Sequence, residues 1–288
     1  MTSRIAPAYL LLIAVWSTTA LGIKWGVTGL PFTLALLTRF GLAAALAVIL
    51  LRWRGHRLHK DWAHRRAYLI AGIATAFSML CSFWAAQFIS SGLIAVLYGL
   101  APLATGLFAA RWLAMPLRGI EWLAIGVSLL GLFVIFGQNL NLSPGGLPGM
   151  LALLAGMALQ SAAAVLLKRY ASTQSAMNVN TGALCVAAFL TALFWLMSGA
   201  PMPQQLPLRA LAALVYLASI GSVLAFSLYY WLIRECRPLS VALISLITPA
   251  TSLWLGHWLN HEVLAATELW GTGLIMLGLV IHSLKPRL

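Results

Sequence analysis

The densest group of chemically active side chains in this 288-residue sequence is His257, His261 and Glu262. Histidines four positions apart share one face of a helix, which is the spacing of paired metal ligands. A bound metal ion needs at least one more ligand that converges on it, and the neighbouring sequence supplies none. We therefore predict no metal site and no cofactor.

Polar side chains within long apolar runs are a second group with chemical potential. A Gln or Ser near mid-membrane is costly unless it faces protein or a cavity. A mainly apolar and aromatic wall with a few neutral hydrogen-bonding groups suits an amphipathic solute that carries a ring. We predict a substrate cavity lined by Trp16, Thr19, Met79, Ser82, Phe83 and Tyr98 from the first half, and by Gln160, Ala164, Tyr230, Ser245 and Thr248 from the second.

The charges narrow the choice of solute. All five carboxylates lie toward the ends of apolar runs or in loops, so no acid is placed at mid-membrane to exchange a cation for protons. Phosphorylated solutes call for several inward-facing cations, and only Lys24 and Arg39 are candidates. Both are predicted to lie near the outer face and to pair there with carbonyls or with Glu262; direct contact with a solute carboxylate is the alternative role. A neutral or zwitterionic solute fits best.

Two prolines occupy matching places in the two halves of the chain. A shift of 147 positions carries Pro102 onto Pro249 and Trp84 onto Trp231. A mid-helix proline removes a backbone donor and kinks the helix, which lipid tolerates only where protein or a water-filled cavity covers the defect. A repeated pair of such helices indicates a transport site between two repeats, with Pro102 and Pro249 as hinges.

The composition requires a membrane. Hydrophobic residues make up 62% of the chain and charged residues 8%, too little polar surface to cover a soluble globule. The net charge of +13 comes from basic residues between apolar runs, which orients membrane proteins, so nucleic acid is not predicted as a partner. Ten membrane spans are predicted at about 7–28, 31–51, 67–89, 92–112, 119–137, 148–167, 178–199, 210–233, 238–260 and 265–284.

The same layout predicts orientation and repeats. Fifteen of the 18 Lys and Arg fall on one side, which the positive-inside rule makes cytoplasmic together with both termini. Five spans, an odd number, precede the linker, so the second half enters the membrane from the opposite side. We predict an all-α integral membrane protein with two inverted five-helix repeats around a central cavity: residues 1–137, an outer linker at 138–147, and residues 148–288.

The sequence resembles the drug/metabolite transporter superfamily, and within it the EamA-type ten-helix exporters, over essentially its whole length. The resemblance rests on Trp16 and Lys24 in WSTTALGIKWG, on the P-x7-R pattern at Pro31 and Arg39, and on Thr248-Pro249, Glu262, Gly271 and Gly278. The first half departs from the pattern of Glu262 and Gly271, because Met115 stands where Glu is usual and Ala124 where Gly is usual.

The resemblance implies a bacterial inner-membrane exporter of small amphipathic metabolites, amino acids including aromatic ones above all, that works by alternating access. It implies no covalent chemistry, and a monomer in the bilayer is expected. Two alternatives stay open from the residues: a carrier of nucleotide sugars or other phosphorylated metabolites, and a membrane-embedded lipid-modifying enzyme that would use His257, His261 and Glu262.

Overall fold

The computed structural model describes residues 2–114, 117, 119–139, 145–200, 202–203, 205–236, 241, 244, 248–263 and 265–283. All regular structure within these ranges is helical. The first half contains α1 (Thr2–Gly26), α2 (Phe32–Trp53), α3 (Trp62–Ala85), α4 (Ser91–Tyr98), α5 (Ala101–Trp112) and α6 (Gly119–Asn139). The second half contains α7 (Gly146–Tyr170), α8 (Ala176–Ser198), α9 (Leu208–Tyr216), a π-helical segment (Leu217–Leu224), α10 (Ala225–Glu235), α11 (Thr248–Asn260) and α12 (Ala266–Ser283).

The outer surface of the bundle is apolar. Seven helical stretches in the described ranges are long and apolar enough to cross a membrane. Large side chains on their outward faces are open to the surroundings, for example Phe133, which is 74% exposed, and Leu196, which is 68% exposed. Lipid tails solvate such side chains, whereas water would drive them together. The prediction of an all-helical integral membrane protein is confirmed.

Local signals set where several helices begin. The Asp61 carboxylate accepts a hydrogen bond from the His64 N–H (3.2 Å) and so caps α3. The Ser90 hydroxyl does the same for α4 by accepting from the Leu93 N–H (3.2 Å). Pro31 precedes α2 in an extended conformation. These caps satisfy backbone donors that have no partner within the helix.

Pro102 interrupts the fourth predicted span. The span is one apolar stretch from Ser91 to Trp112, but its helix stops at Tyr98 and restarts at Ala101. Pro102 has no N–H with which to bond the Tyr98 carbonyl, so the α-helical ladder cannot pass this point. The predicted kink is therefore present. Pro249 lies in the first turn of α11, and residues 245–247 before it lie outside the described residues.

The eighth predicted span contains a π-helical segment that the sequence did not predict. The stretch from Leu208 to Glu235 is continuous, yet its middle turns, Leu217–Leu224, are wound more widely than an α-helix. The Ser222 hydroxyl donates to the Leu217 carbonyl (2.8 Å), five residues back. Such widened turns often mark functional sites because they change which side chains face inward.

The direction of α7 shows that the two halves are inverted. Gly149, near the start of α7, packs against Ala85 at the end of α3. At the other end of this pair, the Arg66 guanidinium lies 3.9 Å from the centre of the Tyr170 ring. The two helices therefore run antiparallel. The first helix of the second half thus crosses the membrane in the direction opposite to α3 of the first half.

Two equivalent lysines lie at opposite ends of the bundle. Lys24 Nζ donates to the carbonyls of Ala86 (2.7 Å) and Ile89 (2.9 Å), where α3 ends. Lys168 Nζ donates to the carbonyl of Arg234 (2.7 Å), where α10 ends. We call these two ends the Lys24 end and the Lys168 end; α3, with 24 residues, spans about 36 Å between them. The same clamp thus occurs twice with opposite direction, as an inverted repeat requires.

Helices α6 and α12 pack through glycines in a matching pair of contacts. A Cβ on Gly131 of α6 would stand 2.5 Å from the Gly271 carbonyl oxygen of α12. A Cβ on Gly278 of α12 would stand 2.7 Å from the Ala124 carbonyl oxygen of α6. Since real Cβ atoms do not approach oxygen so closely, the two backbones can meet only because these residues are glycines.

Candidate functional site

A cavity of about 130 Å³ lies between the two halves. Its wall is formed by α1 to α5 of the first half and by α7, the π-helical segment, α10 and α11 of the second. Its lining joins two apolar clusters, one nearer the Lys24 end and one nearer the Lys168 end. Seven predicted cavity residues line it: Trp16, Thr19, Met79, Tyr98, Gln160, Ala164 and Thr248.

Aromatic rings form one side of the cavity. The Trp16 and Tyr229 rings lie 5.3 Å apart, centre to centre, and are tilted by 54°. The Phe226 ring meets Tyr229 edge-on at 6.3 Å. These are favourable aromatic geometries, and they bring rings from α1 and α10, one from each half, onto one surface. Phe226 and Tyr229 were not predicted as cavity residues.

Neutral hydrogen-bonding groups occur at several points of the wall. The Tyr98 hydroxyl is held by the hydroxyls of Ser78 (2.7 Å) and Ser82 (3.0 Å). Gln160 Oε1 is buried and has no hydrogen-bond partner among the described residues. The Ser161 hydroxyl donates to the carbonyl of Ala101, at the break between α4 and α5 (3.4 Å). An acceptor without a partner in an apolar wall is available to a solute.

Three residues predicted to line the cavity lie behind its wall. Ser82 is fully buried and supports Tyr98 from α3. Phe83 is fully buried, with its ring 5.7 Å from the Arg39 guanidinium. The Tyr230 hydroxyl is hydrogen-bonded to the Thr75 hydroxyl (3.3 Å), on the side facing α3. Phe83 and Tyr230, which match across the repeats, are thus both outside the described lining of the cavity. Ser245 lies outside the described residues.

Arg39 lies in the wall of the cavity, deeper than the outer face near which it was predicted. Its residue is 1% exposed. Nε donates to the Ser222 hydroxyl (3.1 Å), and Nη1 donates to the Met79 sulfur (3.5 Å). The guanidinium also lies 5.3 Å from the centre of the Phe40 ring. A cation is therefore built into an otherwise neutral wall.

The π-helical segment presents Ser222 to Arg39. Asn180 of α8 holds this segment, because its Nδ2 donates to the carbonyls of Ser222 (3.3 Å) and Val223 (3.1 Å) and to the Ser227 hydroxyl (2.8 Å). Carbonyls that a regular helix would pair internally are thus satisfied from a neighbouring helix. The signal in the sequence for this contact was the group of polar residues Asn178, Asn180 and Thr181 in an otherwise apolar span.

Glu262 joins the two halves at the Lys24 end. Its carboxylate accepts from the Ser91 N–H (3.0 Å), the Ser91 hydroxyl (2.8 Å) and the Gly92 N–H (3.3 Å), and so caps α4. Asn260 Nδ2 also donates to it (2.9 Å). An anion is stabilised at a helix N-terminus by the free N–H groups and the helix dipole. The prediction that Lys24 bonds carbonyls agrees with its contacts to Ala86 and Ile89.

The two histidines do not converge with this carboxylate on one point. His257 Nδ1 lies 3.0 Å from the backbone oxygen of Glu262, not from its carboxylate. His261 adopts a positive φ of 52° in the turn that follows α11. The turn brings Glu262 back onto α4, and its carboxylate is occupied there by Ser91, Gly92 and Asn260. This arrangement supports a structural role for the group.

Comparisons with known proteins agree with this architecture. The family model for the EamA-like transporter family matches residues 5–137 and 147–284, once in each half. The uncharacterized inner membrane transporter YedA of Escherichia coli K12 is 26% identical over 279 residues, covering 96% of this chain and 90% of YedA. The uncharacterized transporter YwfM of Bacillus subtilis is 26% identical over 276 residues, 91% of each chain.

More distant similarities extend the same pattern. The protein PecM of Dickeya dadantii is 27% identical over 217 residues, covering 75% of this chain and 72% of PecM. A crystal structure with 21% sequence identity superposes with a TM-score of 0.73 and covers 97% of both chains, which shows a shared fold. The two family matches, one on each side of the linker, account for nearly the whole chain. This chain belongs to the EamA-like transporter family.

Proposed function

We propose that this protein exports small amphipathic metabolites across a bacterial inner membrane, and that its main solutes are amino acids, including tryptophan, phenylalanine and tyrosine. The observation that carries the proposal is the cavity between the halves, in which the aromatic surface of Trp16, Phe226 and Tyr229 lies in one wall with a few polar groups. A ring stacks on such a surface, and a polar head group needs the hydrogen-bonding groups nearby.

The size of the cavity favours small solutes. The volume of about 130 Å³ corresponds to roughly ten buried water molecules. A cavity of this size favours an amino acid over a nucleotide sugar, which is far larger and carries phosphate groups. Arg39 is the charged residue of the described lining, and two phosphates call for several cations. Both features favour an amino acid over a phosphorylated metabolite.

The family resemblance supports the same choice. The motifs at Trp16, Lys24, Pro31 and Arg39 are similar to those of EamA-type exporters, and we propose that within this group the chain is similar to the bacterial aromatic amino acid exporter YddG. YedA, which matches almost the whole chain, is named as an inner membrane transporter. By the distribution of Lys and Arg, the Lys168 end and both termini face the cytoplasm. We expect the protein to act as a monomer in the bilayer.

Alternating access explains why the halves are joined at both ends. At the Lys24 end, Glu262 caps α4 and Trp25 Nε1 donates to the Asn260 side chain (2.8 Å). At the Lys168 end, Arg169 Nη1 donates to the Trp112 carbonyl (3.3 Å). Each set of contacts opens in turn while the other holds, and the break at Pro102, together with Pro249 in the first turn of α11, allows the helices to bend. The cavity then faces one side of the membrane at a time.

Flux into liposomes that contain only the purified protein tests this proposal. The panel consists of radiolabelled tryptophan, phenylalanine, threonine, a nucleotide sugar and a quaternary ammonium compound, with and without a proton gradient. We expect saturable movement of tryptophan and phenylalanine, and none of the nucleotide sugar or the quaternary ammonium compound. Protein-free liposomes are the control. Movement of the nucleotide sugar alone would replace the proposed solute class, and movement of none of the five would overturn the proposal.

A further inference from the structure

Arg39 is a buried cation that faces a solute cavity. It is the charged residue in the described part of the lining, and the rest of that lining is apolar or neutral. A charge in the membrane interior is costly unless another group compensates it, and such residues mark solute pathways. The role of Arg39 therefore depends on whether other groups of the protein neutralise its charge.

No carboxylate of this protein compensates Arg39. All five carboxylates lie in the described ranges, and within these ranges none forms an ion pair with the guanidinium. Asp61 bonds His64, Glu235 bonds Arg234, and Glu262 caps α4. A buried cation paired only with neutral groups retains most of its electrostatic cost. An anion that entered the cavity would lower this cost.

Nε of Arg39 is held by Ser222, but the contact at Nη1 is weak. A methionine sulfur is a poor acceptor on a flexible side chain, and Met79 occupies Nη1 at 3.5 Å. Nη2 has no acceptor among the described residues. Gly221 of the π-helical segment lies close to this atom, since an added Cβ there would stand 3.8 Å from Nη2. Because Gly221 has no side chain, this residue of the cavity wall places only backbone beside Nη2.

We propose that Arg39 binds the carboxylate of the transported solute through Nη1 and Nη2, with the Met79 sulfur displaced. A guanidinium presents parallel N–H groups that match the two oxygens of a carboxylate. The inference rests on the proposed function and narrows it. The solute must carry a carboxylate, and an amine that has an aromatic ring but no carboxylate is rejected. The aromatic surface of Trp16 and Tyr229 then takes the ring.

A set of four phenylalanine analogues tests this on the unmodified protein. Phenylalanine and 3-phenylpropionate carry the carboxylate, whereas phenylalaninamide and phenethylamine lack it. Binding is measured as thermal stabilisation of the purified protein, and competition is measured against radiolabelled phenylalanine in liposomes. We expect both carboxylates to bind about 10- to 100-fold more tightly than the two amines, the range for a charge-assisted hydrogen bond. Equal binding of all four, or binding of none, would overturn the inference.

The two readouts separate this inference from the proposed function. If the carboxylates bind selectively but nothing crosses the membrane, the site stands and the transport proposal fails. If phenylalanine crosses the membrane but the amines compete equally well, transport stands and the role of Arg39 falls.

Three variants assign the preference to Arg39 itself. In Arg39→Gln the preference for carboxylates should vanish. In Arg39→Lys, which keeps the charge but not the parallel N–H groups, the preference should fall to an intermediate value. This variant also keeps the test valid if Arg39→Gln does not fold. Arg209→Gln is the matched control, since Arg209 stacks 4.1 Å from the Trp25 ring centre at the Lys24 end and should leave the preference intact. A full preference in folded Arg39→Gln or in Arg39→Lys would contradict the assignment.

Discussion

The two halves of this protein match where helices pack and differ where the cavity lies. Lys24 and Lys168, 144 positions apart, clamp the ends of α3 and α10 in the same way. Gly131 and Gly278, 147 positions apart, make matching backbone contacts between α6 and α12. The repeat is therefore preserved in side-chain detail in the parts that hold the bundle together.

The cavity wall breaks this symmetry. Arg39 in α2 corresponds to Ala183 in α8, and Trp16 in α1 corresponds to Gln160 in α7. The π-helical segment corresponds to a part of α3 that is regular α-helix. Glu262 corresponds to Met115, whose side chain carries no charge and offers only a weak sulfur acceptor. A symmetric frame thus carries an asymmetric wall, which is what a solute with two unlike ends requires.

Filling the wall should have the largest effect. In Ala164→Trp a large ring enters a cavity of about 130 Å³, and we expect transport to fall to background. Ala155→Trp is the matched control, because Ala155 lies on the exposed side of the same helix. Flux of phenylalanine into liposomes measures both. Equal transport by the two variants would place the solute path elsewhere.

Closing the glycine contacts should cost stability equally in both halves. Gly131→Ala and Gly278→Ala each force the backbones of α6 and α12 apart, at a cost of about 1–3 kcal/mol, typical of overpacking. Gly126→Ala is the control, since a Cβ there meets nothing within 4 Å. Thermal unfolding in detergent compares the three. A loss in only one of the two glycine variants would break the symmetry of the frame.

The lysine clamps should show a smaller, matched loss. Lys24→Met and Lys168→Met leave carbonyls at helix ends without their donor, and we expect each to cost about 1 kcal/mol because water can reach these half-buried positions. Lys60→Met, in the exposed loop before α3, serves as the control. The same unfolding assay measures all three, and unequal losses at Lys24 and Lys168 would argue against equivalent roles.

The smallest effect is expected at Glu262, which caps α4 and has no equivalent carboxylate in the first half. Glu262→Gln keeps an acceptor for α4 but removes the charge, a loss of about 0.3–1 kcal/mol at a helix N-terminus. Since this contact joins the halves only at the Lys24 end, its loss should favour opening there and raise labelling of a cysteine introduced at Ala95, a buried residue of the cavity wall. Unchanged labelling would mean that Glu262 does not hold that end closed.

Much of the frame followed from the sequence, for physical reasons that particular residues show. The shift that pairs Lys24 with Lys168 also carries the end of α1 onto the end of α7 and the start of α2 onto the start of α8. Proline chemistry predicted the break at Pro102. Helix ends and kinks depend on local residues, which the sequence displays directly.

The wall was harder to predict, because it depends on how helices are rotated. Seven of the predicted lining residues line the cavity, whereas Ser82, Phe83 and Tyr230 face a neighbouring helix. In the π-helical segment the 3.6-residue period no longer assigns faces, and Tyr229 lines the cavity in place of Tyr230. Arg39 was assigned to the outer face from its position along α2. Nothing in the sequence showed that its guanidinium donates hydrogen bonds to Ser222 and Met79 deeper in the bundle.

The central claim is that the solute binds between the inverted halves, with its carboxylate on Arg39. An experimental structure of the protein with 4-iodophenylalanine, located by the anomalous signal of iodine, tests it most directly. The account predicts one iodine peak beside Trp16 and Tyr229, with the carboxylate density on the Arg39 guanidinium. A peak on the lipid-facing surface, or a carboxylate turned away from Arg39, would contradict it.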